Sequence, residues 1–255
     1  GFPVGTSMDT TYAYGVNPSI IREKYAEAEE LIIKSWTEDE IFSFDGKYTQ
    51  LRYVNLWPKP MQDPHPPVWV PGAGSIETWQ HTIDRDFMYA YLSYSGFKRG
   101  KTVMDGFWKV ANAAGRDNPY QAGFLQLVCV GDSEQEVADT YGQHIEYFFN
   151  KMLHVYPGFD APGYRTLDSI RAGLESDPII LPGLESGRSG GYAYQSTWKD
   201  LNETGNIISG TPEQVTEKLE QVVNDLYIGH LLLLCQIGSM PHDTAMYNIE
   251  RIATD

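Results

Sequence analysis

Hydrophobic residues along this chain follow two rhythms that take turns. Short, almost wholly apolar runs at 68–70, 87–92, 123–130 and 230–236 are bounded by glycine, proline or polar residues and read as buried strands. Between them, apolar residues return at the spacing of one helix face. Val137, Tyr141, Ile145, Phe148 and Met152 share such a face behind Ser133-Glu134-Gln135-Glu136, a capping box, in a helix expected to reach residue 155. Val215, Leu219, Val222 and Leu226 do the same behind Thr211-Pro212-Glu213-Gln214, where Thr211 caps and Pro212 suits the first turn. Further helices are expected over 101–114, closed by Gly115, and over 241–254. Nearer the start, Asn17 and Pro18 open a helix with Ile21, Tyr25, Ala28, Ile32 and Trp36 on its packed side and Glu27, Glu29 and Glu30 on its solvent side. From 41 to 53 the period shortens to two around Asp45-Gly46, which predicts a hairpin with a type I′ turn. The proline-rich Trp57-Pro58-Lys59-Pro60 and Pro64-His65-Pro66-Pro67 are extended connectors. With 1–5 counted as a strand end, the strand-then-helix unit recurs about five times, and continuous apolar strands of this kind belong to a parallel sheet covered on both faces. Periodicity leaves open a doubly wound sheet and part of an eight-stranded α/β barrel.

One stretch breaks the rhythm. Residues 156–208 are rich in Gly, Pro, Ser and Tyr, and are longer than an ordinary connection, so a lid-like insertion is expected there. The 255 residues suffice for a single large domain. A net charge of -15 repels polyanions, which argues against nucleic acid or an anionic membrane as partner. No apolar run reaches the roughly 18 residues of a membrane helix. Cys129 and Cys235 both lie in apolar runs, which favours buried free thiols over a disulfide and fits a cytoplasmic protein.

Metal chemistry finds no footing, because the six histidines form no His-x-x-x-His or Glu-x-x-His grouping and both cysteines stand alone. What remains is Gly72-Ala73-Gly74-Ser75. It follows the run 68–70 and precedes Glu77, so it reads as strand, tight turn and helix start, with Ser75 as N-cap. At such a junction the first backbone N–H groups and the helix dipole converge on one spot, which can seat a phosphate without lysine or arginine. We read it as the phosphate seat of a nucleotide-like cofactor, beside the plainer reading of a turn that only joins strand to helix.

The ordered set Gly1-Phe2-Pro3-Val4-Gly5-Thr6-Ser7, Arg22-Glu23-Lys24-Tyr25, Phe44-Asp45-Gly46-Lys47-Tyr48, Pro58-Lys59-Pro60, Pro64-His65-Pro66-Pro67-Val68-Trp69, Gly72-Ala73-Gly74-Ser75 and Gly210-Thr211-Pro212-Glu213-Gln214-Val215 resembles the bacterial luciferase-like flavin-dependent monooxygenases. The likeness runs through nearly the whole chain. It implies a (β/α)8 TIM barrel that this sequence enters near the fourth strand, lacking the first three βα units. It also implies reduced FMN supplied by a separate flavin reductase, and O2 used to oxygenate a small organic substrate. Position by position, it implies that Gly72, Ala73, Gly74 and Ser75 hold the phosphate, that Thr6 and Ser7 face the flavin, and that Tyr25 reaches the phosphate. For Tyr25 an ordinary core aromatic is the competing role. No catalytic residue is implied within this stretch. Two alternatives stand beside the monooxygenase: a deazaflavin-dependent hydride-transfer oxidoreductase of the same superfamily, and a non-catalytic flavin-binding barrel. The substrate does not follow from the sequence, nor does the oligomeric state, a homo-oligomer included.

Overall fold

A computed structural model describes residues 1–5, 11, 13–72, 74–92, 96–152, 167, 171 and 196–254. Among them, helix α1 (Ile21–Thr37) precedes a hairpin of β1 (Phe42–Asp45) and β2 (Gln50–Val54). The strand-then-helix alternation follows: β3 (Trp69–Gly72), α2 (Ile76–Asp84), β4 (Met88–Leu92), α3 (Phe97–Ala113), β5 (Ala122–Val130) and α4 (Glu134–Tyr147). Further on come α5 (Trp198–Glu203), β6 (Ile207–Gly210), α6 (Pro212–Leu226), β7 (His230–Leu234) and α7 (His242–Thr254).

Strands β3 to β7 are parallel throughout, and β5 is their hub. Ala122–Leu125 pairs with β4, Leu127–Val130 with β6, and Gly123–Leu127 with β7. Side chains of β5 divide between two cores. Phe124, Val128 and Val130 pack with Trp79, Met104, Phe107, Val215 and Leu226 of α2, α3 and α6. Leu127 and Cys129 pack with Tyr141, Ile145, Leu201 and Ala245 of α4, α5 and α7. Helices therefore cover both faces, which is why the strand carries no polar alternation. The strand–helix order is that of a barrel wall, and among the described residues the wall is not closed, because β7 returns to pair with β5.

Where β7 ends, the Asn248 side chain takes over along β5. Its amide nitrogen donates to Val128 O at 2.8 Å and Cys235 O at 3.1 Å, and its oxygen accepts from Val130 N–H at 2.9 Å. Two caps behave as their motifs predict or nearly so. Thr211 and Gln214 form the full reciprocal box, whereas Ser133 accepts from Glu136 N–H while the Glu136 carboxylate turns to Asp132 N–H at 2.6 Å. Helix α4 gives way at Phe148–Met152 to a wider π-helical turn, which buries Phe149 and leaves Met152 exposed.

Three expectations need correcting. The hairpin turn is not the two-residue Asp45-Gly46: Asp45 ends β1, and the connection 46–49 is closed by Gly46 N–H to Thr49 O at 2.9 Å. Glu27 of α1 organises it by accepting from the N–H groups of Tyr48 and Thr49 at 3.0 and 2.6 Å. On α1 itself Ala28 is exposed and Glu29 buried, so the packed face is rotated by one residue. Finally, the stretch 156–208 falls mostly outside the described residues, and its described end is not loop: it contains α5 and the first residues of β6. Both cysteines are free, as expected, with Cys129 buried and Cys235 partly so; burial pushes both thiol pKa values up.

Candidate functional site

The glycine turn sits between the end of β3 and the start of α2, as the sequence predicts. Gly74 has φ +99°, a left-handed value that favours glycine, and a Cβ there would stand 3.0 Å from the methyls of Val103 on α3. Ser75 occupies the N-cap position with extended backbone, and its carbonyl accepts from Thr78 and Trp79 N–H at 3.1 and 3.2 Å. Its side chain does not cap. Instead, Ser75 Oγ accepts from Arg22 Nη2 at 3.2 Å and pairs with Thr78 Oγ1 at 2.7 Å. These two partners compete for the hydroxyl that would otherwise bond the helix N–H groups.

Helix α1 brings Arg22 and Tyr25 to the same place, one turn apart on one face. With Thr78 and His81 from α2 and Val70 from β3, they line a cavity of about 170 Å³. Tyr25 Oη donates to Phe2 O at 3.1 Å, and its ring stands edge-on to His81 with centroids 5.6 Å apart. Burial first, then the nearby Glu29 charge, raises its pKa, so the hydroxyl stays a neutral donor. Behind it, Glu29 is 1% exposed and accepts from or pairs with His81 Nε2 at 2.7 Å, while Arg85 stands 3.4 Å from its other oxygen. A wider depression of about 420 Å³ between α1 and the hairpin carries Glu27, Glu30 and Asp45 together with Lys34 and Arg85 on its wall.

Of the residues expected at the site, Gly72, Gly74 and Ser75 make the β3–α2 junction and Tyr25 lines the cavity beside it; Thr6, Ser7 and Ala73 lie outside the described residues. Sequence reading missed Arg22, Thr78, His81 and Glu29. A signal existed in the spacing of Arg22, Tyr25 and Glu29, which places three polar groups on one helical face. The donor set fits a phosphate: the hydroxyls of Ser75 and Thr78 and the Arg22 guanidinium, beside a turn whose glycine lets backbone approach, with Tyr25 on the adjoining cavity wall. Among the described residues no group of three His, Cys, Asp or Glu could hold a metal ion, and no helix is long and apolar enough to cross a membrane.

Residues 3–228 match the family model described as luciferase-like monooxygenase. Over 245 residues the chain is 20% identical to the uncharacterized protein y4wF of Sinorhizobium fredii (strain NBRC 101917 / NGR234), covering 95% of this chain and 62% of that protein. The chain therefore spans less than two thirds of that relative's length. Among solved structures, the oxygenating constituent of 3,6-diketocamphane monooxygenase from the CAM plasmid of Pseudomonas putida, a type II Baeyer-Villiger monooxygenase in complex with FMN, aligns with TM-score 0.66 and 16% identity, over 99% of this chain and 68% of that one. An F420-dependent secondary alcohol dehydrogenase in complex with an F420-acetone adduct aligns with TM-score 0.57 and 16% identity, over 91% and 62%. At such identities the structural likeness establishes the fold.

Proposed function

As the chain belongs to the luciferase-like monooxygenase family, we propose that it serves an FMN-dependent monooxygenase in which reduced FMN, delivered by a separate flavin reductase, and O2 oxygenate a small organic substrate. The observation that carries this reading is the seat at the β3–α2 junction, where a left-handed Gly74 precedes the paired hydroxyls of Ser75 and Thr78 and Arg22 bonds to Ser75, with Tyr25 on the wall of the adjoining cavity. Bound reduced FMN would supply the electrons for O2; the chain's own part is to hold and orient it. Gly72, Ala73 and Gly74 allow backbone N–H groups to approach the phosphate, Ser75 donates to it, Tyr25 reaches it by turning its hydroxyl away from Phe2 O, and Thr6 and Ser7 are assigned to the flavin's side. A cytoplasmic setting, where a reductase can supply reduced flavin, suits this chemistry.

A deazaflavin-dependent hydride transfer is the second reading, supported by the fold shared with the F420-dependent alcohol dehydrogenase. Titration of the protein with FMN and with F420, followed by oxygen uptake with reduced FMN, separates the two. We expect saturable FMN binding and oxygen consumption that depends on the protein. Saturable F420 binding with none for FMN would move the assignment to the second reading.

A further inference from the structure

We propose that Trp79, Trp108 and Tyr227 form a one-electron relay that carries oxidising equivalents from beneath the glycine turn to the surface, and so protects the site from its own oxygen chemistry. The relay rests on the flavin reading only for its oxidant, a partly reduced oxygen species acting as a one-electron oxidant.

A file of aromatic rings runs from the site to the surface. Trp79 follows Thr78 near the start of α2 and is buried, with its indole N–H near the Tyr89 hydroxyl but not bonded to it. The Tyr89 ring stacks on Phe107 with centroids 4.9 Å apart, Phe107 stands edge-on to Trp108 at 5.0 Å, and Trp108 stands edge-on to Tyr227 at 5.2 Å. The first four rings share one core, whereas Tyr227 is 52% exposed and ends the file in water. Indole and phenol rings give up an electron far more readily than a phenyl ring, so Phe107 is packing and not a station. Protons decide among the others. Tyr89 Oη has no acceptor and burial pushes its pKa up, so its oxidation would leave a bare cation in the core. An indole can lose an electron and keep its proton, and Trp108 Nε1–H is held by Leu226 O at 2.9 Å. Tyr227 Oη donates to Asp117 O at 3.0 Å at the surface, where water can take its proton. The step balances: the oxidant gains one electron from Trp79, Trp108 refills Trp79, and Tyr227 refills Trp108, gives its phenol proton to water and ends as a neutral phenoxyl radical. Tyr227 also stands where its type is costly, with φ +51° at the end of α6, a left-handed position that glycine or asparagine takes more easily. Its ring on Trp108 is what either replacement would give up.

A photo-oxidant fixed beside Trp79 tests the relay without any flavin. A ruthenium polypyridyl complex is attached at Gln80→Cys, an exposed position of α2, in a Cys235→Ser background; Cys129 is buried and stays unlabelled. After a laser flash with an electron-accepting quencher, radicals are followed by transient absorption and lasting oxidation is mapped by peptide mass spectrometry. We expect a tryptophanyl signal that decays into a tyrosyl one, with the oxidation marks on Tyr227. Trp108→Phe should lose the tyrosyl signal and leave the marks on Trp79. Tyr227→Phe, a surface change that spares the core, should keep the tryptophanyl signal and lose the tyrosyl one. Circular dichroism checks each fold, and if Trp108→Phe does not fold, Tyr227→Phe decides. A tyrosyl signal of unchanged rate and yield in Tyr227→Phe, or marks that stay on Trp79 with all three rings in place, overturns the proposal. Since no flavin enters this experiment, neither result bears on the flavin reading, which the titrations with FMN and F420 test separately.

Discussion

Glu29 is the residue whose environment departs most from its type. Its carboxylate is shut off from water, and two partly exposed nitrogen bases, the His81 imidazole and the Arg85 guanidinium, face it from α2 and the residue that follows. Removing one member of a buried charge set leaves the others uncompensated, so Glu29→Ala should lower unfolding stability by about 3 kcal/mol or more, seen as a lower urea midpoint, and Glu29→Gln by less. No change in either variant would show that water reaches the site. Gly74→Val forces a β-branched side chain into a left-handed conformation against Val103, and should cost about 1 to 3 kcal/mol as well as FMN affinity. Cys129 offers a control for folding: buried and with its thiol pKa raised, it should resist a thiol reagent at pH 8 until the chain unfolds. Prompt labelling of Cys129 in the native protein would contradict the burial described for it.

At the scale of elements, local chemistry settled ends and spacing, and distant contacts settled faces. The capping boxes and apolar runs place α6, β5 and β7 closely because each signal is contained within a few neighbouring residues. The packed face of α1 could not be read in the same way: a glutamate in a helix is presumed solvated until a partner is known, and His81 lies 52 residues further on. The hairpin turn was misread for the same reason, since Glu27 on α1 supplies the acceptor that shapes 46–49. Arg22 was hidden likewise, its contact with Ser75 spanning 53 residues. Asn248 is the clearest case of a helix residue doing a strand's work. Its replacement by Ala would leave the Val128 carbonyl and Val130 N–H without their side-chain partner, at about 1 to 3 kcal/mol for each group left unpaired. Thermal unfolding of Asn248→Ala checks this, and a loss no larger than that of an exposed-site variant would argue against it.

For the whole molecule, the parallel α/β class was legible because continuous apolar strands demand helices on both faces, but the pairing order was not, because periodicity is silent on which strand meets which. That order makes β5 the common partner of β4, β6 and β7. Amide exchange should therefore be slowest across Ala122–Val130 and fastest in the β1–β2 hairpin, a two-stranded unit outside the main sheet. Equal protection of both would refute this ranking. The hub has a further consequence, in time rather than in energy. Its last partner along this edge, Asn248, is 120 residues away from Val128 in sequence, and its pairings with β6 and β7 also join distant parts of the chain. Closing loops of that length precedes any gain from the contacts they bring, so β5 cannot be completed early, and a chain made from one end must hold it half-paired until β7 and α7 arrive. During that wait its open edge is the part of the molecule most exposed to the wrong partner.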